Sequence, residues 1–304
     1  MSFSKPLISV VIPTNNKADM IEKSILSVLQ QSYKLFELII IDEASDDGTE
    51  NKVRKIKDHR IKYVKLPENT NGTRAKNLGI RMSNGEFIAF LESGDVWLPD
   101  KLEKQLAFIL NSGESITNAV CFTGMLIDNE QMQVKKKNKP YFKEKDIMNY
   151  IFLENNIVHI STIIVSSLLA KATLFDPLLR RHQDVDFCLR LRNNDADFYY
   201  FNECLTTWNF YNRGGRISLN KNDENLSLEW LSSRKDQLSL SSQWAFEVFI
   251  TVESLILNRK LGEALEVASK AFLHRQINLS IFRKILASIL STDHLHLKVN
   301  YLLS

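Results

Sequence analysis

The sequence predicts an α/β protein whose mostly parallel sheet is flanked by helices and followed by a helical C-terminal extension. Short apolar runs closed by polar turns alternate with helical-period segments through the first hundred residues. Three of these runs end on polar or acidic residues, at Pro13-Thr14-Asn15, Asp42-Glu43 and Glu92-Ser93-Gly94-Asp95. From about Asp223 onward the period is helical throughout.

Residues 7–12 are β-branched and closed by Pro13, which marks a buried strand. Between Ala18 and Gln31 the residues Ile21, Ile25, Val28 and Leu29 share a helical face, with Asn15 or Asn16 as the expected cap. Residues 37–41 form a second buried strand, and Ser45-Asp46-Asp47-Gly48 turns the chain into a short helix from Glu50 to Ile56. Residues 61–64 are a weaker strand nearer an edge. Gly72 and Thr73 introduce a helix with Ala75, Leu78, Gly79 and Met82 on one face, and residues 86–91 are the next buried strand. Farther on, residues 119–127, 198–201 and 205–211 read as strands. In the tail, one helical face carries Trp244, Val248, Thr251, Val252 and Leu255. Leu265, Ala268 and Phe272 make a second, and Ile281, Ile285 and Ile289 a third. In sheets of this kind ligands bind outside the carboxyl ends of the strands, where strand order reverses. Three polar ends on one edge would be such a site.

Composition narrows the field. With 304 residues, 44% hydrophobic and 25% charged, the chain is an ordinary globular protein large enough for a sizeable core. A net charge of +3 is too small to suggest nucleic acid as a partner. Cys121, Cys188 and Cys204 lie in apolar runs without metal-ligand spacing, as reduced core thiols of a cytoplasmic protein would. The N-terminus lacks a signal-like apolar region, and no stretch reads as long and apolar enough to span a bilayer. No Gly-x-Gly-x-x-Gly follows the first strand and no phosphate-loop lysine motif is present, which argues against a dinucleotide enzyme.

Seven segments then occur in a telling order. They are Ser9-Val10-Val11-Ile12-Pro13-Thr14-Asn15-Asn16, Ser27-Val28-Leu29-Gln30-Gln31-Ser32-Tyr33 and Glu37-Leu38-Ile39-Ile40-Ile41-Asp42. Ala75-Lys76-Asn77-Leu78-Gly79-Ile80, Gly85-Glu86-Phe87-Ile88-Ala89-Phe90-Leu91 and Trp97-Leu98-Pro99-Asp100-Lys101-Leu102-Glu103 follow. The last is Arg181-His182-Gln183-Asp184-Val185-Asp186-Phe187-Cys188-Leu189-Arg190-Leu191. Together they cover roughly residues 7–218 and resemble the family-two glycosyltransferases, nucleotide-sugar enzymes of the GT-A fold. The resemblance implies a GT-A domain over residues 1–220, its donor half about 1–110 and its acceptor half about 111–220, with 221–304 as a helical extension.

It also implies roles. Asp42 matches the acid that bonds the nucleotide base, Glu43 stands where a second aspartate is common, and Pro13 and Thr14 line the same pocket. Lys76 and Arg74 would face the donor diphosphate, with a solvated helix face as the bland alternative for both. Trp97 would pack beside the donor sugar or fill the core. Glu92, Ser93 and Asp95 would border the donor phosphate, with Asp95 and Glu92 holding a divalent manganese or magnesium ion. Gly94 departs from the pattern, because it stands where the family usually has the aspartate most often on the metal. Asp184 matches the general base, in a motif that reads Gln183-Asp184 where Glu-Asp is usual; the alternative for Asp184 is a helix cap. Arg181, and Arg216 in the basic loop Arg213-Gly214-Gly215-Arg216, are further candidates for the diphosphate. Residues 157–165 resemble the family's acceptor-side strand, and its His159, Ser161 and Thr162, together with His182, are candidates for acceptor contact, with ordinary strand and hydrogen-bond chemistry as the alternative.

The expected protein is therefore an inverting glycosyltransferase that moves a sugar from a nucleoside-diphosphate donor, a UDP-sugar, to a glycan, glycolipid or glycoprotein hydroxyl in polysaccharide biosynthesis. It would work in the cytoplasm, at the inner face of the membrane, with its helical tail available for peripheral membrane contact or a homodimer. Gly94 and Gln183 favour a rival reading as a catalytically silent nucleotide- or sugar-binding protein. A sugar nucleotidyltransferase is disfavoured by the missing glycine-rich loop.

Overall fold

The computed structural model describes residues 5–69, 71–113, 115–128, 132–209 and 224–290. The chain forms two compact units. One comprises Met1–Lys143, Val158–Leu178 and Asp186–Asn212; the other comprises Glu144–Ile157, Leu179–Val185 and Arg213–Ser304.

The order begins β1 (Ile8–Thr14), α1 (Ile21–Leu29), β2 (Phe36–Glu43), α2 (Thr49–Lys55), β3 (Ile61–Leu66), α3 (Thr73–Met82) and β4 (Phe87–Phe90). It continues with β5 (Val96–Trp97), α4 (Lys101–Leu110), β6 (Ala119–Asp128), β7 (Gln133–Lys136), α5 (Ile147–Phe152), β8 (Ile164–Ser166) and α6 (Ser167–Thr173). Then come α7 (Gln183–Asn193), β9 (Asp197–Asn209), α8 (Glu224–Arg234), α9 (Leu240–Leu257), α10 (Leu261–Leu273) and α11 (Leu279–Leu290).

The first unit is built on a sheet of order β3-β2-β1-β4-β8-β6-β9-β5, with β7 added on β6. β1 lies parallel to β2 and β4, and β2 parallel to β3. β8 is antiparallel to both β4 and β6, while β6 runs parallel to β9. Every β1 residue is buried, as expected of a strand covered on both faces. Ile8, Val10 and Ile12 pack with Ile21, Ile25 and Val28 of α1 and Leu102 and Leu106 of α4. Ile39 and Ile41 of β2 belong to another cluster, with Ala75, Leu78 and Met82 of α3.

Three expectations change on inspection. α1 starts at Ile21 rather than Ala18, and Met20, not an asparagine, is its cap. The cause lies in the preceding loop: Asn16 and the backbone of Lys17 and Ala18 are bonded to the β2–α2 turn, so the asparagines are not available to cap. The expected strand over 157–165 is instead a 3-10 turn, Ile160–Thr162, capped by His159, and the three-residue β8. The two aromatic strands near 200 are one strand, β9, whose register against β6 shifts on either side of Gly124 and leaves Asn202, Glu203 and Leu205 unmatched.

The second unit gathers α5, α8, α9, α10 and α11. Val248, Val252 and Ile256 of α9 bury against Ala264 and Ala268 of α10 and Ile281 and Ile285 of α11. Trp244 and Leu265 lie outside this core, each 40% exposed. α9 corrects the reading that no segment has the length and hydropathy to cross a bilayer: its 18 residues average 1.2 in hydropathy. About 39% of that window is buried within the protein.

One close approach sets the position of α3. A Cβ on Gly79 would lie 2.3 Å from Val11 Cγ1, so only glycine lets this helix seat on β1. Gly79→Ala should lower unfolding free energy by about 1–3 kcal/mol in urea titration, since overpacking must push α3 off the sheet. Wild-type stability in this variant would contradict the seating.

Candidate active site

Strand order reverses between β1 and β4, because β2 and β3 continue on one side of β1 and β4 lies on the other. The carboxyl ends of these strands bring the polar residues to one edge. Pro13 and Thr14 are buried at the end of β1, with Thr14 in register with Asp42. Thr14 Oγ1 is buried and has no hydrogen-bond partner among the described residues. Asp42 is fully buried, accepting the Ser45 N–H at 2.8 Å on Oδ1 and the Tyr63 hydroxyl at 2.6 Å on Oδ2. Burial and the Asp42 carboxylate together raise the Tyr63 hydroxyl pKa, so Tyr63 stays a donor. A carboxylate offers about four lone-pair positions, so two remain for another donor. Glu43 Oε2 accepts the Gly72 N–H at 2.8 Å, which ties β2 to the start of α3.

Lys76 and Glu92 form the charged centre of this edge. Lys76 Nζ lies 2.8 Å from Glu92 Oε1, with the lysine side chain only 4% exposed. Its ammonium also sits 5.4 Å from the centre of the Phe175 ring. Phe175 is fixed by Asn77, which accepts its N–H at 2.7 Å and donates to its carbonyl at 2.8 Å. Burial alone would raise the Glu92 carboxyl, but the charge and hydrogen bond of Lys76, with His159 and Lys17 adding, hold it below the usual range.

The turn after β4 is fixed from several sides. Ser161 is fully buried; its hydroxyl accepts the Glu92 N–H at 3.0 Å and donates to Asp95 Oδ2 at 2.6 Å. Its carbonyl accepts Trp97 Nε1 at 2.8 Å and the Thr206 hydroxyl at 3.1 Å. Ser24 accepts the Gly94 N–H and donates to the Asp95 carbonyl, and Asn209 donates to the Gly94 carbonyl. Gly94 has φ +116°, and a Cβ there would lie 3.0 Å from Met20 Cε. Ser93 is half-buried within this turn.

Several candidate residues point inward. Trp97 is 2% exposed and hydrogen-bonded through its indole, so it supports the turn from within the core. Lys101 Nζ lies 4.2 Å over that indole without a hydrogen-bond partner among the described residues, and burial brings its pKa down to about 7. Thr162 is fully buried and donates to the His159 carbonyl at 2.6 Å. His159 Nδ1 lies 3.3 Å from the Ser161 N–H nitrogen and 3.8 Å from Asp95 Oδ2. Arg74 is exposed on α3, 3.3 Å from Glu68. Sequence reasoning missed Tyr63 and Ser24, whose cross-strand and cross-loop contacts leave no local motif, and gave no role to Asn77, which lies within a quoted segment but acts through distant Phe175.

In the second unit, Arg181 pairs with Glu253 at 3.5 Å. His182 lies among Trp230 and Phe246, with Nε2 2.8 Å from the Ser227 hydroxyl, so its contacts are with its own unit's interior. Asp184 occupies the first turn of α7, behind Gln183. Arg216 lies outside the described residues. Among the described residues no group of three or more histidine, cysteine, aspartate or glutamate side chains is arranged to hold a metal. Asp95 and Glu92, the candidate ligands, are bonded to Ser161 and Lys76.

The sequence profile described as Glycosyl transferase family 2 matches residues 9–169, which take in β1 to β4, the Glu92–Asp95 turn and Ser161. The chain belongs to this family. TuaG of Bacillus subtilis, named for glycosyl transfer in teichuronic acid biosynthesis, is 33% identical over 220 residues, covering 71% of this chain and 83% of TuaG. Among solved structures, residues 1–349 of S. aureus TarS in complex with UDP-GlcNAc superpose with a TM-score of 0.59 at 20% identity, covering 88% of this chain and 77% of the other. The mannosyltransferase PcManGT of Pyrobaculum calidifontis, in complex with GDP-Man and Mn2+, gives 0.60 at 16% identity, covering 98% and 86%. These likenesses establish the GT-A fold, and family membership makes the chain a glycosyltransferase.

The buried His182 of this glycosyltransferase yields a pH test. Burial, and secondarily Arg181, push its imidazole down to about 3 from the ordinary 6.5. Between those values the unfolded chain holds the extra proton, so stability rises with pH across the window. Melting temperature should fall as pH drops from 6.5 toward 3. That fall should be shallower in His182→Asn, a residue that tolerates the left-handed backbone (φ +59°) found there. Equal slopes would contradict a buried neutral imidazole.

Proposed function

We propose that this family-2 enzyme inverts configuration while moving a sugar from a UDP-sugar to an acceptor hydroxyl on a glycan, glycolipid or glycoprotein. The observation that carries the reading is the reversal of strand order between β1 and β4, whose ends bring Thr14, Asp42, Glu43, Lys76 and Glu92 to one edge. Asp42, with spare acceptor positions, and the unpartnered Thr14 hydroxyl suit a pyrimidine base; Lys76 suits a diphosphate. Pro13, Glu43, Ser93 and Glu92 complete the donor side, with Arg74, Arg181 and Arg216 as further cations. His159 is retained as an acceptor contact.

In the reaction the acceptor oxygen bonds to the anomeric carbon as the bond from that carbon to the β-phosphate oxygen breaks. The electron pair leaves on UDP, and the acceptor proton passes to Asp184 acting as general base. The anomeric carbon gains oxocarbenium character between the two events. TuaG, by its name, supports a polysaccharide product, and the UDP-GlcNAc bound to TarS supports a UDP donor. A cytoplasmic site at the inner face of the membrane fits such a product. Exposed Leu261, Leu273 and Leu290 make the helical tail a surface for peripheral membrane contact or self-association.

Calorimetry with UDP and an assay of UDP-sugar turnover test this. Asp184→Asn should reduce turnover by about 10²–10⁴ while leaving UDP affinity within error. Full activity in that variant would place the base elsewhere. Binding without turnover in the wild type would instead support the silent binding protein that Gly94 and Gln183 favour.

A further inference from the structure

We infer that the donor diphosphate is neutralised by the ammonium of Lys76, seated where a carboxylate-held metal would be expected, so that donor binding does not depend on a divalent ion. This rests on the UDP-sugar reading above and specifies how that site meets its ligand's charge.

The three positions that would hold a metal are each turned to another use. Gly94 carries no carboxylate; with φ +116° and Met20 Cε 3.0 Å from where a Cβ would sit, an aspartate there would be strained. Asp95 is 4% exposed, and its Oδ2 takes the Ser161 hydroxyl at 2.6 Å. Glu92 reaches the edge but has the Lys76 ammonium 2.8 Å from Oε1. A divalent ion on Glu92 would stand within a few ångströms of that ammonium and be repelled by it. Lys76 is well prepared to meet a diphosphate, being 4% exposed, set over Phe175 and carried on a helix seated by Gly79. An arriving diphosphate exchanges one anion for another at the same cation, with Glu92 turning toward solvent from its 39% exposed position. As the anomeric carbon–oxygen bond breaks, the pair left on the β-phosphate oxygen stays beside a fixed positive charge.

The test is calorimetric titration with UDP in EDTA, in magnesium and in manganese, on the wild type and three variants. Wild-type affinity should agree within about threefold across the three conditions, because no ion enters the site. Lys76→Met should weaken UDP by about 10–100-fold in all of them, the loss of one charge-assisted contact, and Lys76→Arg should restore most of it. Glu92→Gln, which keeps the side-chain shape, should tighten UDP by removing the competing anion, and keeps the proposal testable if Lys76→Met fails to fold. Manganese-dependent binding that vanishes in EDTA and in Glu92→Gln would overturn the assignment while leaving the UDP-sugar reading intact. Failure of UDP to bind under any condition would overturn both.

Discussion

The ion pair between Lys76 and Glu92 is the contact on which this edge depends. An ammonium buried to 4% exposure needs an anion beside it, because an unpaired charge taken out of water is costly. Glu92 supplies that anion from the end of β4, so the pair joins a helix lying over one strand to the turn after another. Everything around it keeps both ends in place. Gly79 lets α3 seat on β1, Asn77 clamps Phe175 beneath the ammonium, and Ser161 holds the Glu92 backbone.

The same logic of satisfied groups runs through the neighbouring loops. The chain after β1 and the chain after β2 are laced by bonds from Asn16, Lys17 and Ala18 to Ser45, Thr49 and Asp47. Burial would raise the Asp47 carboxyl, but bonds from the Thr49 hydroxyl and from the Ala18 and Thr49 N–H groups hold it low, so the turn stays anionic. Loops fixed in this way present Asp42 and Glu43 without a glycine-rich phosphate motif. Preorganisation here comes from side chains bonding backbone.

Much of the first hundred residues was legible because their signals are local. The three β-branched or apolar runs closed by Pro13 and by acidic turns read as buried strands, and with the weaker edge run at 61–64 and the helices between they imply the parallel core. The place where strand order reverses, between β1 and β4, is fixed only by the pairing of strands in the fold. The inward residues were less legible. Trp97 sits in a stretch that patterns as strand or turn, yet its indole is held by the Ser161 carbonyl, which also takes the Thr206 hydroxyl of β9, both far from Trp97 in sequence. His182 reads in sequence as a candidate acceptor contact, and only the aromatic packing of Trp230 and Phe246 makes it an interior group. The apolar character of α9 was diluted in sequence by its serines and glutamates, whose spacing around the helix becomes apparent only once its ends are fixed.

A single crystal structure tests the account of the donor edge most directly: the chain with UDP, grown in manganese, with an anomalous map. The expected result is a diphosphate against Lys76 Nζ at the β1–β4 edge, Glu92 turned outward, and no manganese peak between Glu92, Asp95 and the phosphates. A manganese peak on those carboxylates, with Lys76 turned away from the diphosphate, would contradict it.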